Sequence, residues 1–363
     1  MRKNNINAMQ VGSLIICIIM SMSMGIGIFN ALEIAKIDSY IAIIISTILG
    51  FIPVGIILYI ANYKPNLNIV EKINFLFGKP IGFLVNFIIS LIIMLVAITS
   101  LFSISNFIVS QFLSNTPVIY IGIALAILNI FALNKGIETI TRSSLILMMI
   151  TIAFFIFLIA GLIPEFKTDN LKPILEYGIN KPLIASLITI CVNVVPLFLI
   201  LIIPKDNIVD KKNYNKFIII AYIIASLMTI IMISLTMGVL GQYLADIYQY
   251  PEYIVLRKIT LFDFIDRIEN LICIQWISST FITSTLCFYY ICNNIKKEDK
   301  PKKLAILIVA IATLLSLYIF KNNTTFNIYI SKIYPYILAF MFLLLLITAI
   351  VIFIRRKMRK EIN

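Results

Sequence analysis

Two interruptions in otherwise unbroken apolar runs are the places in this sequence where chemistry has room to happen. The first reads Ser21-Met22-Ser23-Met24-Gly25-Ile26-Gly27-Ile28, and the second Cys191-Val192-Asn193-Val194-Val195-Pro196. Each glycine lowers helix stability by about 1 kcal/mol, so Gly25 and Gly27 together permit local unwinding. Pro196 removes one ladder hydrogen bond and clashes with the turn before it. Backbone groups freed at membrane depth are tolerated only where they line a cavity or protein. Half-helix N-termini there offer amides and a positive dipole end, which is the chemistry that holds a carboxylate. The expected ligand site is Ser23, Met24, Gly25, Ile26 and Gly27 against Val192, Asn193, Val194 and Pro196. Ser103 and Asn106 on the third apolar run, with Ser279 and Thr280 on the eighth, are its expected walls. A packing role stays open beside this one, because small residues mediate close contact between membrane helices and proline kinks are common in them.

Other reactive groups are few. The chain has no histidine, and its five cysteines (Cys17, Cys191, Cys273, Cys287, Cys292) lie in or beside apolar runs without a CxxC pair. They read as small buried apolar residues, so no metal site and no cofactor are expected. A sodium ion held by freed carbonyls and hydroxyls such as Ser21 and Thr280 is the one exception left open. No embedded acidic pair and no phosphate loop occur, so an enzyme is not expected. Almost no ionisable residue falls inside the runs, although such residues mark ion and proton pathways. The segment Phe262 to Glu269, leading into the eighth run, is the charged exception. There Arg267 lies close enough in sequence to pair with Asp266 or Glu269. Either the pair anchors a helix end at the interface, or Arg257, Asp266, Arg267, Glu269 and Trp276 form a gate or partner contact.

The elements that must position these residues follow from composition. Of 363 residues, 61% are hydrophobic and 13% charged, against about 45–50% and 25% in soluble domains. About twenty consecutive apolar residues span a bilayer as a helix. The runs predict spans near 10–31, 39–62, 80–110, 117–134, 143–163, 181–203, 215–241, 268–294, 303–320 and 333–354. They form one integral membrane domain over 1–363, with helices 1–5 over about 10–163 and helices 6–10 over about 181–354. The first run lacks a cleavage motif and reads as an uncleaved span. Of the 30 Lys and Arg residues, 21 fall on one side and 9 on the other. The positive-inside rule then places both termini in the cytoplasm. The net charge of +13 therefore reports orientation, and nucleic-acid binding is not expected. Breaks in spans one and six are corresponding positions if the halves are inverted repeats, the usual place of a transporter's site.

Several positions carry a family resemblance. They are Thr116-Pro117, then Gly136, Glu138 and Arg142, then Pro251-Glu252-Tyr253 through Arg257-Lys258-Ile259, and finally Phe264, Arg267, Glu269 and Trp276. Over nearly its full length the chain resembles the spore germination permeases, the B subunits of nutrient germinant receptors. The resemblance implies an all-α, ten-span amino acid–polyamine–organocation fold with broken helices one and six. It also implies residence in the spore inner membrane and assembly with an A-type and a lipoprotein C-type subunit. A small, amino-acid-like germinant is the implied ligand. The family often has a glycine and an acidic residue near the sixth-span break, where this chain has Val194 and Val195, so ligand identity does not carry over.

Three functions are open. A subunit that senses a germinant at the midplane suits the scarcity of buried charge, since proton coupling normally needs a buried ionisable group. A sodium- or proton-coupled amino-acid transporter is the second, and an ion-conducting channel or scaffold without a ligand is the third.

Overall fold

A peptide group in hydrocarbon finds no water, so apolar runs of this length close their hydrogen bonds within the segment and become helices. The computed structural model describes residues 6–259, 270–296, 298 and 300–361. Among these, the one pairing of extended chain is an isolated bridge between Ile6 and Ile208. Span 1 consists of α1 (Ala8–Met22), a π-type turn at Ser23–Gly27 and α2 (Ile28–Ala35). Span 2 is α3 (Ser39–Leu49) followed by α4 (Phe51–Ala61). A short amphipathic helix, α5 (Ile69–Phe77), precedes α6 (Lys79–Gln111), α7 (Val118–Lys135) and α8 (Ile137–Leu162).

The second half opens with span 6, made of α9 (Asn180–Thr189), a π-type turn at Ile190–Val194 and a 3₁₀ stretch at Val195–Ile202. There follow α10 (Tyr214–Ile247), the four-residue α11 (Pro251–Ile254), α12 (Asn270–Ile295), α13 (Lys302–Ile319), α14 (Asn323–Lys332) and α15 (Tyr334–Glu361).

Among the described residues, eight stretches are long and apolar enough to cross a membrane, the first being the 54-residue Ala8–Ala61. A helix of that length is about 80 Å long, against a hydrocarbon core of about 30 Å. It turns at Lys36, whose φ of 54° and ψ of −125° end α2, and so supplies two spans. The 26 residues of α12 add about 39 Å of helix and complete the ten expected spans. The order of elements recurs between halves, a broken span, a whole span, a short helix, then three spans, with α14 inserted before the last span of the second half. The fourth member of each half, α7 and α13, has 18 residues in both cases. Five spans per half bring the second half into the membrane from the opposite face.

Span 1 occupies the centre. All of α1 except Met9 is buried, packed against α8, α10 and α12. The outer helices carry the exposed apolar side chains, among them Phe83, Phe131, Leu314 and Phe353, as a lipid-facing surface requires. Connections add local order. At the start of α5 the Asn68 side chain accepts from the Glu71 amide while Glu71 accepts from the Asn68 amide, both at 2.9 Å. This reciprocal cap satisfies two otherwise unpaired donors. One turn on, Lys72 Nζ donates to the carbonyls of Ile60 and Ala61 at 2.9 and 3.1 Å, closing the C-terminal end of α4.

Candidate ligand site at the helix break

The break in span 1 is a backbone event with an identifiable cause. Met24 is extended (φ −74°, ψ 132°) and Gly25 is left-handed (φ 68°, ψ −11°). A side chain at that φ costs about 1–2 kcal/mol, and a Cβ on Gly25 would also stand 2.5 Å from the Trp276 ring. Glycine satisfies both constraints. Two residues on, Gly27 faces the side-chain amide of Asn193, and a Cβ there would collide with it. The two glycines thus let a tryptophan and an asparagine rest directly on the backbone. Asn193 lies in the π-type turn of span 6, so the two breaks pack against each other. Pro196 follows at the start of the 3₁₀ stretch, where its missing N–H leaves no gap in an α-ladder.

The broken ladder frees the Gly25 amide, and a carboxylate takes it. Gly25 N–H donates to Glu252 Oε1 at 2.7 Å, across 227 residues of sequence. Glu252 sits on α11, between spans 7 and 8, and is 1% exposed. Burial pushes its carboxyl up from 4.5 to about 7, opposed by hydrogen bonds from its own backbone and from Gly25. The sequence predicts a connection here and an interior with almost no charge. The structure corrects that expectation, because the connection folds inward and brings a carboxylate to the middle of span 1.

Aromatic rings surround this contact. Trp276, 1% exposed, packs on Phe107 with centroids 4.4 Å apart and on Tyr250 at 5.6 Å. Tyr253 joins through Phe107 at 5.2 Å. Asn106 Nδ2 donates to the Tyr250 hydroxyl at 2.8 Å, which fixes the start of α11. Ser103 Oγ lies 3.4 Å from the position of a Gly25 Cβ and has no hydrogen-bond partner among the described residues.

Most expected site residues therefore meet at the break. Ser23 Oγ is 3.3 Å from Thr229 Oγ1 on α10, and Ser21 Oγ donates to Thr280 Oγ1 on α12 at 3.3 Å. Met24, Ile26, Val192, Val194 and Pro196 are buried around them. Ser279 is buried with its hydroxyl unpaired. Gln275, which the sequence reading did not single out, donates to the sulfurs of Met20 at 3.3 Å and Met24 at 3.8 Å. Two small cavities of about 10 Å³ flank the break. One is lined by Ser23, Met24, Thr229 and Gln275, and the other by Asn193, Val194, Tyr222 and Thr229. Each has room for about one water.

The expected gate residues divide. Trp276 belongs to the break. Arg257 is exposed and lies over the Tyr253 ring, 5.0 Å from its centroid. Asp266, Arg267 and Glu269 lie outside the described residues.

Comparison with known proteins gives one consistent answer. Residues 5–327 match the family model described as spore germination protein. Spore germination protein KB of Bacillus subtilis (strain 168) is 25% identical over 313 residues, covering 81% of this chain and 82% of that protein. Spore germination protein XB of Bacillus anthracis is 23% identical over 304 residues, covering 82% and 83%. Spore germination protein A2 of Bacillus subtilis (strain 168) is 21% identical over 248 residues, covering 68% and 67%.

Proposed function

We propose that this chain, which belongs to the spore germination protein family, is a germinant-sensing membrane subunit. It binds a small polar, amino-acid-like ligand at the break of span 1 and passes the change to partner subunits. The observation that carries this reading is the pair of breaks in contact: Gly27 against Asn193, beside a freed Gly25 amide. Polar backbone and side-chain groups collected at membrane depth, with one-water cavities beside them, form a place where a ligand gains from groups the lipid cannot satisfy. Binding shifts a two-state equilibrium by the ligand's differential affinity for the two states. Closing the small cavities around a ligand supplies such a difference. The family resemblance supports an A-type and a lipoprotein C-type subunit as the receivers of the signal. It also supports the spore inner membrane as the location, and the asymmetry of Lys and Arg supports placing both termini in the cytoplasm.

The test uses Gly25→Leu and Asn193→Leu. Both abolish the germination response while the protein remains in the membrane. A retained response in both variants removes the break from the account.

A second reading, coupled transport, draws on Glu252. A buried carboxylate at the break is the kind of group that ion coupling uses, and its presence removes the argument from scarce buried charge. The Ser21 and Thr280 hydroxyls, in contact beside the break, are where sodium would be sought. Accumulation of a labelled ligand in proteoliposomes under a proton or sodium gradient decides for this reading.

A further inference from the structure

A break that frees amides ordinarily welcomes a ligand's carboxylate. In this chain the place is already taken, because Glu252 Oε1 accepts from Gly25 N–H at 2.7 Å. Glu252 is buried, and among the described residues no Lys or Arg pairs with it. The four ion pairs found there, Lys36–Asp246, Arg142–Glu138, Lys172–Asp169 and Lys211–Asp206, lie elsewhere. A buried carboxylate without a cation is expensive, and such groups are normally paired. The other unpaired polar atoms at the break have the same bias. Among the described residues, Asn193 Oδ1 and Gln275 Oε1 are acceptors without a donor, and the Ser103 and Ser279 hydroxyls are unpartnered and can accept. All four residues are at least nine-tenths buried. Trp276 lies against Gly25 and packs on Phe107 and Tyr250, and aromatic faces attract cations.

We propose that Glu252 sets the charge class of the ligand: the break takes a small primary-amine cation without a free carboxylate, such as an alkylamine or an amino-acid amide. This rests on the reading of the break as the ligand site and narrows it from amino-acid-like ligands in general. The ammonium N–H groups would donate to Glu252, with the Ser103 hydroxyl beside Gly25 as a further acceptor. A zwitterionic amino acid would set a second carboxylate beside the first, in a region where like charges are poorly screened.

The experiment is equilibrium binding of labelled methylammonium to the purified full-length protein in detergent. L-alaninamide, L-alanine, propionate and sodium serve as competitors. Alaninamide and alanine differ chiefly in the free carboxylate, so their comparison needs no variant. The proposal expects alaninamide to compete, and alanine, propionate and sodium to compete at least about tenfold less well. Glu252→Gln can keep the Gly25 hydrogen bond through its amide oxygen but loses the charge, and a charge-assisted bond is expected to account for roughly 10- to 100-fold in affinity. Emission from Trp276, the single tryptophan, checks that the variant's break is intact.

Competition by alanine or propionate, strengthened in Glu252→Gln, overturns the proposal: Glu252 is then displaced by a ligand carboxylate, while the break stands as the site. Competition by sodium equal to that of alaninamide overturns it in favour of an inorganic cation. Equal methylammonium affinity in wild type and Glu252→Gln overturns it as well. Absence of binding by every probe at millimolar concentration overturns both the proposal and the reading on which it rests.

Discussion

Replacing Gly25 with alanine adds one methyl group at a point where the structure leaves no space for it. The cost has two parts. A non-glycine residue at φ 68° pays about 1–2 kcal/mol for its left-handed conformation. The new Cβ also falls 2.5 Å from Cζ2 and Cη2 of Trp276. That ring cannot swing aside freely, since it is 1% exposed and packed on Phe107 and Tyr250. Overpacking of this kind costs about 1–3 kcal/mol. The sum is a destabilisation of roughly 2–5 kcal/mol, concentrated at the break. Gly55→Ala is the matched control, because nothing lies within 4 Å of its Cβ position and it sits inside α4. There the substitution is stabilising by about 0.5–1 kcal/mol through helix propensity. The assay is thermal unfolding of the detergent-solubilised protein, read together with Trp276 emission. Gly25→Ala lowers the melting temperature and changes the emission, while Gly55→Ala does neither. Equal melting temperatures for Gly25→Ala and wild type, with unchanged emission, would refute the geometry assigned to the break.

Lys72 gives a pH prediction. Burial, with repulsion from Lys205 second, lowers it from 10.5 to about 8. Between pH 8 and 10.5 the unfolded chain holds a proton that the folded chain does not, so this residue's contribution makes stability rise with pH through that window. The unfolding free energy measured across it rises more steeply with pH for wild type than for Lys72→Met; parallel curves would contradict the assignment. Asn68→Ala removes the cap of α5 and costs about 1 kcal/mol, measured by thermal unfolding, and an unchanged melting temperature would show that the cap contributes nothing.

Much of the fold was legible because a bilayer imposes a single rule on every span. Apolar runs bounded by Gly78-Lys79-Pro80 and Asn115-Thr116-Pro117 became Lys79–Gln111 and Val118–Lys135 almost to the residue. The end of span 7 was less legible. The helical dihedrals of α10 break at Gly241 (φ 70°, ψ 170°), where the expected span ends, and a further helical turn, which the apolar run does not show, continues to Ile247. The amphipathic α5 was missed since its nine residues are too few and too polar to register as a span. For the site, the break itself was written in Gly25, Gly27 and Pro196. Glu252 was not, because hydropathy treats a carboxylate between spans as solvated, and only the tertiary fold carries it 227 residues back to Gly25. Gln275, one residue before Trp276, had no local signal beyond a polar residue in an apolar helix.

The central claim is that the break binds a ligand as a sensor does. It is tested most directly by measuring equilibrium binding and uptake on one preparation of proteoliposomes, with labelled methylammonium and labelled alanine as probes. The account predicts saturable methylammonium binding, with alanine bound more weakly, that Gly25→Leu and Asn193→Leu abolish, and no accumulation of either probe under an imposed proton or sodium gradient. Gradient-driven accumulation, or binding that survives both substitutions, would contradict it.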